Sequence, residues 1–212
     1  KRAEGLTDYT TVEAGNQFYM TTYELSEVEW LFDMSITNFP FVPSGDLLSK
    51  YTNGDKRETL WFNANGSISK RAQKSGWGPN RTIRISEAYL NRAEALVLSQ
   101  NANIGEALAD LNELRRHRIV GYQDISISDA TILLGEIRVE RRLELCFDGH
   151  RWFDLRRYGM PSISHDYKLK KNDAWVTYVL KEKDPLYTLP IPRAVILNNV
   201  KLEQNPSANA PE

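Results

Sequence analysis

The spacing of hydrophobic residues changes near residue 81 and again near residue 160, and these changes divide the chain into three parts. Over 81–160, hydrophobic residues recur with the three-to-four-residue period of amphipathic helices. Residues 1–80 hold scattered aromatic residues among turn-forming residues, and 161–212 is punctuated by prolines. The pattern predicts a mainly α-helical core flanked by two irregular, loop-rich parts with short β-strands.

Four helices are predicted in the central part, the third beginning at residue 128 or 129. Ser86 is a suitable N-cap for the first helix, and Gly149 can end the third in a left-handed conformation. The linker 99–103 is short, so the first two helices are expected to pack antiparallel, like a tetratricopeptide-like helix pair. The predicted bounds are 86–98, 104–117, 128–149 and 151–158.

The helical period also predicts which side chains are buried. On the first helix, Ala88 and Ala95 are expected near the buried side, and Glu94 less so. On the third helix, Ile132 is expected to belong to the apolar stripe. The clearest stripe, on the second helix, consists of Ala107, Leu108, Leu111 and Leu114.

Short strands are predicted outside the helical part. Residues 30–36 alternate between apolar and polar side chains, as a half-buried strand does. Residues 63–66 end in Asn-Gly and predict a hairpin turn between strands at 59–62 and 67–69. A further strand is expected at 175–180.

Charge and composition then exclude several classes of protein. The 212 residues include 27 Lys and Arg against 28 Asp and Glu, so the formal charge of −1 offers no field to attract nucleic acid. The single cysteine, Cys146, excludes an internal disulfide and suits a small core residue. No apolar run approaches the roughly 18 residues of a membrane span. The chain opens on Lys1 without a signal peptide, so we expect a piece of a longer protein.

The densest charged segment is 136–157, where Glu136, Glu140 and Glu144 lie four positions apart and share a helix face. A glycosidase would need one such carboxyl with a raised pKa, whereas neighbouring arginines lower it. We therefore expect a structural ion-pair network rather than catalysis. Its predicted members are Glu140, Arg142, Glu144, Asp148, Arg151 and Asp154.

No motif indicates a catalytic centre. The three histidines lie far apart, without metal-ligand spacing, and the sequence contains no nucleophile elbow, phosphate loop or dinucleotide motif. We expect no cofactor and no metal, and the pattern favours a binding protein.

Aromatic residues are the remaining chemical resource, because sugar rings stack their apolar faces on aromatic side chains. The alternative for each is that it anchors a loop to the core. The candidate ligand-binding residues are Phe39, Phe41, Tyr51, Trp61, Phe62 and Trp77.

Several segments together resemble the C-terminal region of the SusD/RagB family, the outer-membrane nutrient-binding lipoproteins of Bacteroidetes. The resemblance rests on 84–95, 107–116 and 140–157, the last of which contains Gly149-His150-Arg151-Trp152-Phe153-Asp154. The closing Leu189-Pro190-Ile191-Pro192 and 202–206 match as well. Earlier landmarks are Ser26-Glu27, Pro43-Ser44-Gly45-Asp46-Leu47 and Asp55-Lys56-Arg57.

The resemblance implies a SusD-like helical fold in which 1–212 is the C-terminal region, and the tetratricopeptide half and the lipidated cysteine lie outside it. It also implies a lipid-anchored protein at the outer-membrane cell surface that captures oligosaccharides, or in some members peptides. The implied partner is a TonB-dependent, SusC-like transporter. Aromatic ligand contacts differ between members, so the resemblance assigns none of them here.

Three functions remain open at this stage. The first is non-catalytic glycan capture for uptake, with the aromatics as contacts. The second is a protein-interaction scaffold or peptide-binding member, with the aromatics as core. The third is a glycosidase that uses acids of the Glu140 helix.

Overall fold

The computed structural model describes residues 6, 8–11, 43–62, 84–168, 173–199 and 201–209. About half of these residues are helical and few of them lie in strands, which confirms the mainly α-helical prediction. The helices are α1 (Gly45–Leu48), α2 (Lys56–Trp61), α3 (Ile85–Leu98), α4 (Ile104–Arg116), α5 (Ala130–Glu144), α6 (Arg151–Arg157) and α7 (Arg193–Asn198). The strands are β1 (Ile163–Tyr167) and β2 (Val176–Leu180), and short 3₁₀ turns cover Tyr9–Thr11, Pro185–Tyr187 and Pro206–Asn209. No helix in the described ranges has both the length and the apolar character needed to cross a bilayer.

The chain forms two compact units, Lys1–Asp148 and Gly149–Glu212. The first contains α1 to α5, and the second contains α6, α7 and the two strands. The boundaries of the predicted parts, 1–80, 81–160 and 161–212, reflect changes of sequence pattern along the chain. The boundary between the two units instead reflects which residues contact each other.

The predicted strand at 59–62 is wrong, because most of it belongs to α2. The Asp55 side chain accepts a hydrogen bond from the Arg57 backbone N–H at 3.0 Å and so caps the helix. The cap gives this backbone N–H a hydrogen-bond partner within the protein. In an isolated short strand the same N–H would bond only to water. The predicted strands at 30–36 and 67–69, and the turn at 63–66, lie outside the described residues.

Helices α3, α4 and α5 form the main core, and their predicted existence is confirmed. The short linker after α3 returns the chain so that α3 and α4 pack against each other, and α5 packs on both. Their buried side chains are Leu90, Ala93, Val97, Ala107, Leu111, Leu114, Leu133 and Ile137.

Details of the helix faces differ from the prediction. The N-cap of α3 is Arg84, and Ser86 is fully buried within the first turn. Glu94 is buried while Ala88 and Ala95 are exposed, because Glu94 pairs with Arg138 of α5 at 3.3 Å. Ile132 is also wrong as a core residue, since it is 60% exposed.

The ends of α5 show why a helix stop is hard to place from a glycine. Asp129 caps the N-terminus as predicted, accepting from the backbone N–H groups of Thr131 and Ile132. Gly149 has the expected positive φ of 84°, but α5 ends at Glu144. Phe147 already has a φ of 62°, so the chain leaves the helix before it reaches the glycine.

The second unit is built on a small cluster of buried residues. The predicted strand near 175–180 is confirmed as β2, and its antiparallel partner β1 was not predicted. Leu180 is buried beside Leu155, and the Trp152 ring stacks on Tyr187 with centroids 5.2 Å apart.

Candidate functional site

A buried charge network occupies the centre of the first unit. Glu140 and Glu144 lie one turn apart on α5 and are 1% and 0% exposed. Four arginine side chains from four places in the chain surround them. They are Arg57 of α2, Arg84 before α3, Arg115 of α4 and Arg118 after α4.

Both oxygens of Glu140 accept charged hydrogen bonds. Arg57 donates through Nη1 to Oε1 at 2.6 Å, and Arg115 donates through Nε to Oε2 at 2.7 Å. Arg57 is further held by Asp55, which accepts from Arg57 Nη2 at 2.7 Å. Each of these buried charges contacts an oppositely charged group. This attraction offsets the free energy that removing the charge from water costs.

Glu144 is bound by three arginines. Arg118 donates through Nη2 to Oε1 at 2.9 Å and through Nε to Oε2 at 3.0 Å, a bidentate pair. Arg84 donates to Oε1 at 2.9 Å, and Arg57 donates to Oε2 at 3.0 Å. The carboxylate therefore fixes the positions of α2 and of the segments that flank α3 and α4.

The arginines also fix the protonation state of the network. Burial by itself would raise the pKa of Glu140, but Arg57 and Arg115 outweigh it and hold that pKa below its usual value. Glu144 shows the same balance: against the effect of burial, Arg118 and Arg84 hold its pKa well below the usual value. A glycosidase acid must carry a proton near neutral pH. These two carboxyls are therefore not suited to that role.

The other predicted members differ in whether they join the network around Glu140 and Glu144. Asp148 accepts from Arg84 Nη2 at 2.7 Å and so extends the network. Arg142 instead pairs with Asp46 at 2.6 Å, and the Asp46 side chain is 64% exposed. The pair Arg142–Asp46 is thus a surface contact of α5.

In the second unit, Asp154 accepts from Arg157 Nε at 2.9 Å within α6. Arg151 is the first residue of the same helix and is exposed. Sequence analysis included none of the four arginines in the network, which are Arg57, Arg84, Arg115 and Arg118, although Asp55-Lys56-Arg57 is a landmark of the family resemblance. No local signal connects these arginines to α5, because the contacts span up to 87 positions.

Three of the candidate aromatic residues are described, and the first unit buries all of them. Trp61 is 1% exposed and makes an edge-to-face contact with Tyr9, with ring centroids 6.0 Å apart. Tyr51 and Phe62 are each 8% exposed in the same cluster. In this arrangement their rings pack against the core. The other three, Phe39, Phe41 and Trp77, lie outside the described residues.

An open cleft of about 420 Å³ adjoins the charge network. Its sides are the 50–57 segment, the C-terminal part of α4, the 119–125 segment and α5. Its lining includes Arg57, Arg115 and Glu140 together with Tyr122 and several aliphatic side chains. The cleft therefore combines polar groups with apolar surface.

Exposed rings that sequence analysis did not select lie on the hairpin of the second unit. Tyr167 and Tyr178 are 43% and 47% exposed and lie on one face, because the register pairs Tyr178 with His165. Trp175 is 63% exposed, and the Lys168 ammonium lies 4.7 Å from its ring centroid. Within the described residues, no group of three His, Cys, Asp or Glu side chains is placed to hold a metal ion.

The SusD family model matches residues 47–207, which include α2, α5 and every arginine of the network. The chain belongs to the SusD family. The resemblance inferred from the sequence motifs is thereby confirmed. No curated protein matches the chain.

Solved structures of SusD-like proteins share the fold. A SusD superfamily protein from Parabacteroides distasonis aligns with a TM-score of 0.56 at 18% identity, covering 78% of this chain and 41% of that one. One from Bacteroides fragilis gives 0.54 at 24% identity, covering 74% and 36%. A SusD-like carbohydrate binding protein from Bacteroides vulgatus gives 0.52 at 21% identity, covering 76% and 41%. The chain thus spans well under half the length of these structures.

Proposed function

We propose that this SusD-family chain takes part in non-catalytic capture of oligosaccharides at the bacterial cell surface. The observation that carries the proposal is the family match over residues 47–207. The similar protein from Bacteroides vulgatus is described as carbohydrate binding, which supports the same class of ligand. In this proposal the captured glycan passes to a TonB-dependent transporter in the outer membrane, and a lipid anchor outside these residues attaches the protein to that membrane.

The protonation state of the buried acids supports capture without hydrolysis. Glycoside hydrolysis uses a pair of carboxyls, one of which donates a proton to the leaving group. Arginines keep the pKa values of Glu140 and Glu144 below the usual range despite burial. Neither carboxyl is therefore available as a general acid near neutral pH.

The position of the aromatic contacts is a separate part of the proposal. Of the six aromatic residues selected from the sequence, Tyr51, Trp61 and Phe62 are buried in the core. A sugar ring requires an accessible ring face for stacking. The proposal therefore needs contacts beyond these three, either on the remaining candidates or elsewhere in the chain.

The test is a calorimetric titration of the full chain with soluble oligosaccharides and with a peptide library. Maltoheptaose, cellohexaose, xylohexaose and mannohexaose cover common backbone linkages. Saturable binding of one glycan, without release of reducing sugar, is the expected result. Binding of peptides alone would favour the peptide-binding alternative and would overturn glycan capture. Release of reducing sugar that Glu140→Gln abolishes would overturn the non-catalytic assignment.

A further inference from the structure

We propose that the open cleft beside α5 binds one or two sugar units of a neutral oligosaccharide, an inference that rests on the glycan-capture function proposed above. The cleft has a volume of about 420 Å³. Small-molecule pockets range over about 300–1,000 Å³, so this volume suits a short segment of a glycan rather than a long chain.

The charges that line the cleft favour a neutral ligand. Three positive and three negative side chains line it, so an ionic ligand gains no net attraction. Each positive group is already paired with a carboxylate, as in the contact of 3.2 Å between Lys50 Nζ and Asp46. The six lining charges are Lys50, Arg57, Arg115, Asp55, Glu136 and Glu140.

Several of these groups retain hydrogen-bonding capacity. Arg115 uses Nε for Glu140 and Nη2 for Glu136, and its Nη1 has no hydrogen-bond partner among the described residues. Glu136 accepts that bond through Oε2, which leaves Oε1 as an acceptor. The hydroxyl of Thr52 is exposed and makes no hydrogen bond to a described residue. A sugar hydroxyl both donates and accepts, so it matches a cleft that offers both functions.

Apolar side chains line the cleft beside the polar groups. Ile119, Ile125, Val139 and Leu143 contribute aliphatic surface, and Tyr122 contributes a half-buried ring. The C–H face of a pyranose packs on such surfaces while its hydroxyls reach the polar groups. A purely ionic or purely apolar ligand would use only part of this lining.

The walls of the cleft are held in place before any ligand arrives. Buried Asn112 accepts from the Tyr122 hydroxyl at 2.7 Å and from the Ile125 backbone N–H at 3.2 Å. Its amide nitrogen donates to the Ile125 carbonyl at 3.0 Å. Val120 N–H also donates to the Gly54 carbonyl at 2.9 Å and ties the 50–57 segment to the segment that follows α4. Such preorganisation reduces the entropic cost of binding.

The experiment measures the affinity of the full chain and its variants by calorimetry for the neutral oligosaccharides above and for trigalacturonate as an anionic probe. Thr52→Val removes the exposed hydroxyl, and Glu136→Gln removes the carboxylate charge at nearly constant shape. Thr59→Val on α2 and Glu113→Gln on α4 are matched controls outside the cleft. Thermal unfolding of every variant verifies that each is folded.

We expect Glu136→Gln to weaken binding of the neutral glycan by about tenfold or more, and Thr52→Val by about threefold to tenfold. Both controls should stay within about twofold of wild type. Should Glu136→Gln fail to fold, Thr52→Val decides, because its side chain has no hydrogen bond to lose within the described part of the chain.

The outcomes separate the two proposals. Wild-type binding that neither cleft variant weakens would overturn the cleft and leave glycan capture standing. Equal losses in cleft and control variants would also overturn the cleft. Tighter binding of trigalacturonate than of any neutral glycan would overturn the neutral ligand class. Absence of any glycan binding by the wild type would overturn both proposals together.

Discussion

Nη1 of Arg57 lies 2.6 Å from Oε1 of Glu140, although 83 positions of sequence separate the two residues. Both side chains are fully buried, so the contact links α2 to α5 away from solvent. The neighbouring oxygen of Glu144 is 3.0 Å from the same Nη1 atom. One arginine thus joins two carboxylates of α5, and the stability of the first unit depends on keeping all three charged groups together.

Glu144→Gln should destabilise the protein by about 3–5 kcal/mol, because three buried arginines lose the same negative partner. Arg118 loses a bidentate carboxylate, whereas Arg84 keeps Asp148. Urea unfolding followed by circular dichroism measures the change. The control Glu113→Gln, on the half-exposed side of α4, should change the free energy of unfolding by less than about 0.5 kcal/mol. Equal effects of the two variants would contradict the role of the network.

Arg142→Gln should cost less than about 1 kcal/mol, although Arg142 lies between Glu140 and Glu144 in the sequence. Its partner Asp46 is 64% exposed, so water and salt screen the pair. The same urea measurement applies, repeated at high salt, where the small difference from wild type should shrink. A loss comparable to that of Glu144→Gln would show that Arg142 is part of the buried network.

Stability should fall in acid with a slope set partly by Glu140 and Glu144. Both pKa values lie below the ordinary value of 4.5 in the folded protein, so near and below that pH the unfolded chain binds more protons than the folded one. The stability that these two ionised carboxylates contribute should therefore be fully present above about pH 4.5. It should be lost as the pH falls through their folded-state pKa values. Urea midpoints measured across this range give the slope. Glu140→Gln should make the dependence of stability on pH shallower. The control Asp124→Asn, at an exposed position, should change this slope less. An unchanged slope in Glu140→Gln would contradict the contribution of Glu140 to acid sensitivity.

Two glycine substitutions should have opposite signs. Gly54 has a φ of 87°, and a Cβ there would lie 2.9 Å from the Val120 carbonyl oxygen. Gly54→Ala should therefore destabilise by more than about 1–2 kcal/mol, the cost of a left-handed alanine alone. Gly135 lies within α5 with open space around it, so Gly135→Ala should stabilise by about 0.5–1 kcal/mol. Thermal and urea unfolding of both variants provide the comparison. A stabilising Gly54→Ala would contradict the positive φ and close contact at Gly54, and a destabilising Gly135→Ala would contradict the open position of Gly135.

The local pattern of the sequence was sufficient for the helices with a clear apolar stripe. Helix α4 has Ala107, Leu111 and Leu114 on one face, and its existence depends mainly on this spacing. The Asp129 cap of α5 is equally local, since its side chain bonds to N–H groups two and three residues away. The ordered motifs also identified the family, because they are scaffold segments with characteristic residues.

Local pattern failed where a residue's role depends on distant partners. Glu94 is buried because Arg138 of another helix reaches it, and α2 is a helix beside Glu140 and Glu144 rather than a strand. The candidate site also combines features that are local in the sequence with features that depend on distant residues. The acids on α5 were visible in the sequence, but the cleft beside them depends on Asn112 holding Tyr122 and Ile125.

The sequence by itself determined the helical core and the family, because these follow from spacing and from ordered motifs. The ionised state of the α5 carboxylates was expected from neighbouring arginines, but it depends on arginines that the fold brings to them. Only the tertiary structure decided which arginines neutralise Glu140 and Glu144, that Trp61 is buried, and where a cleft opens. The physical reason is that burial and charge compensation are properties of groups brought together across the chain. Helical periodicity, in contrast, arises within a few consecutive residues.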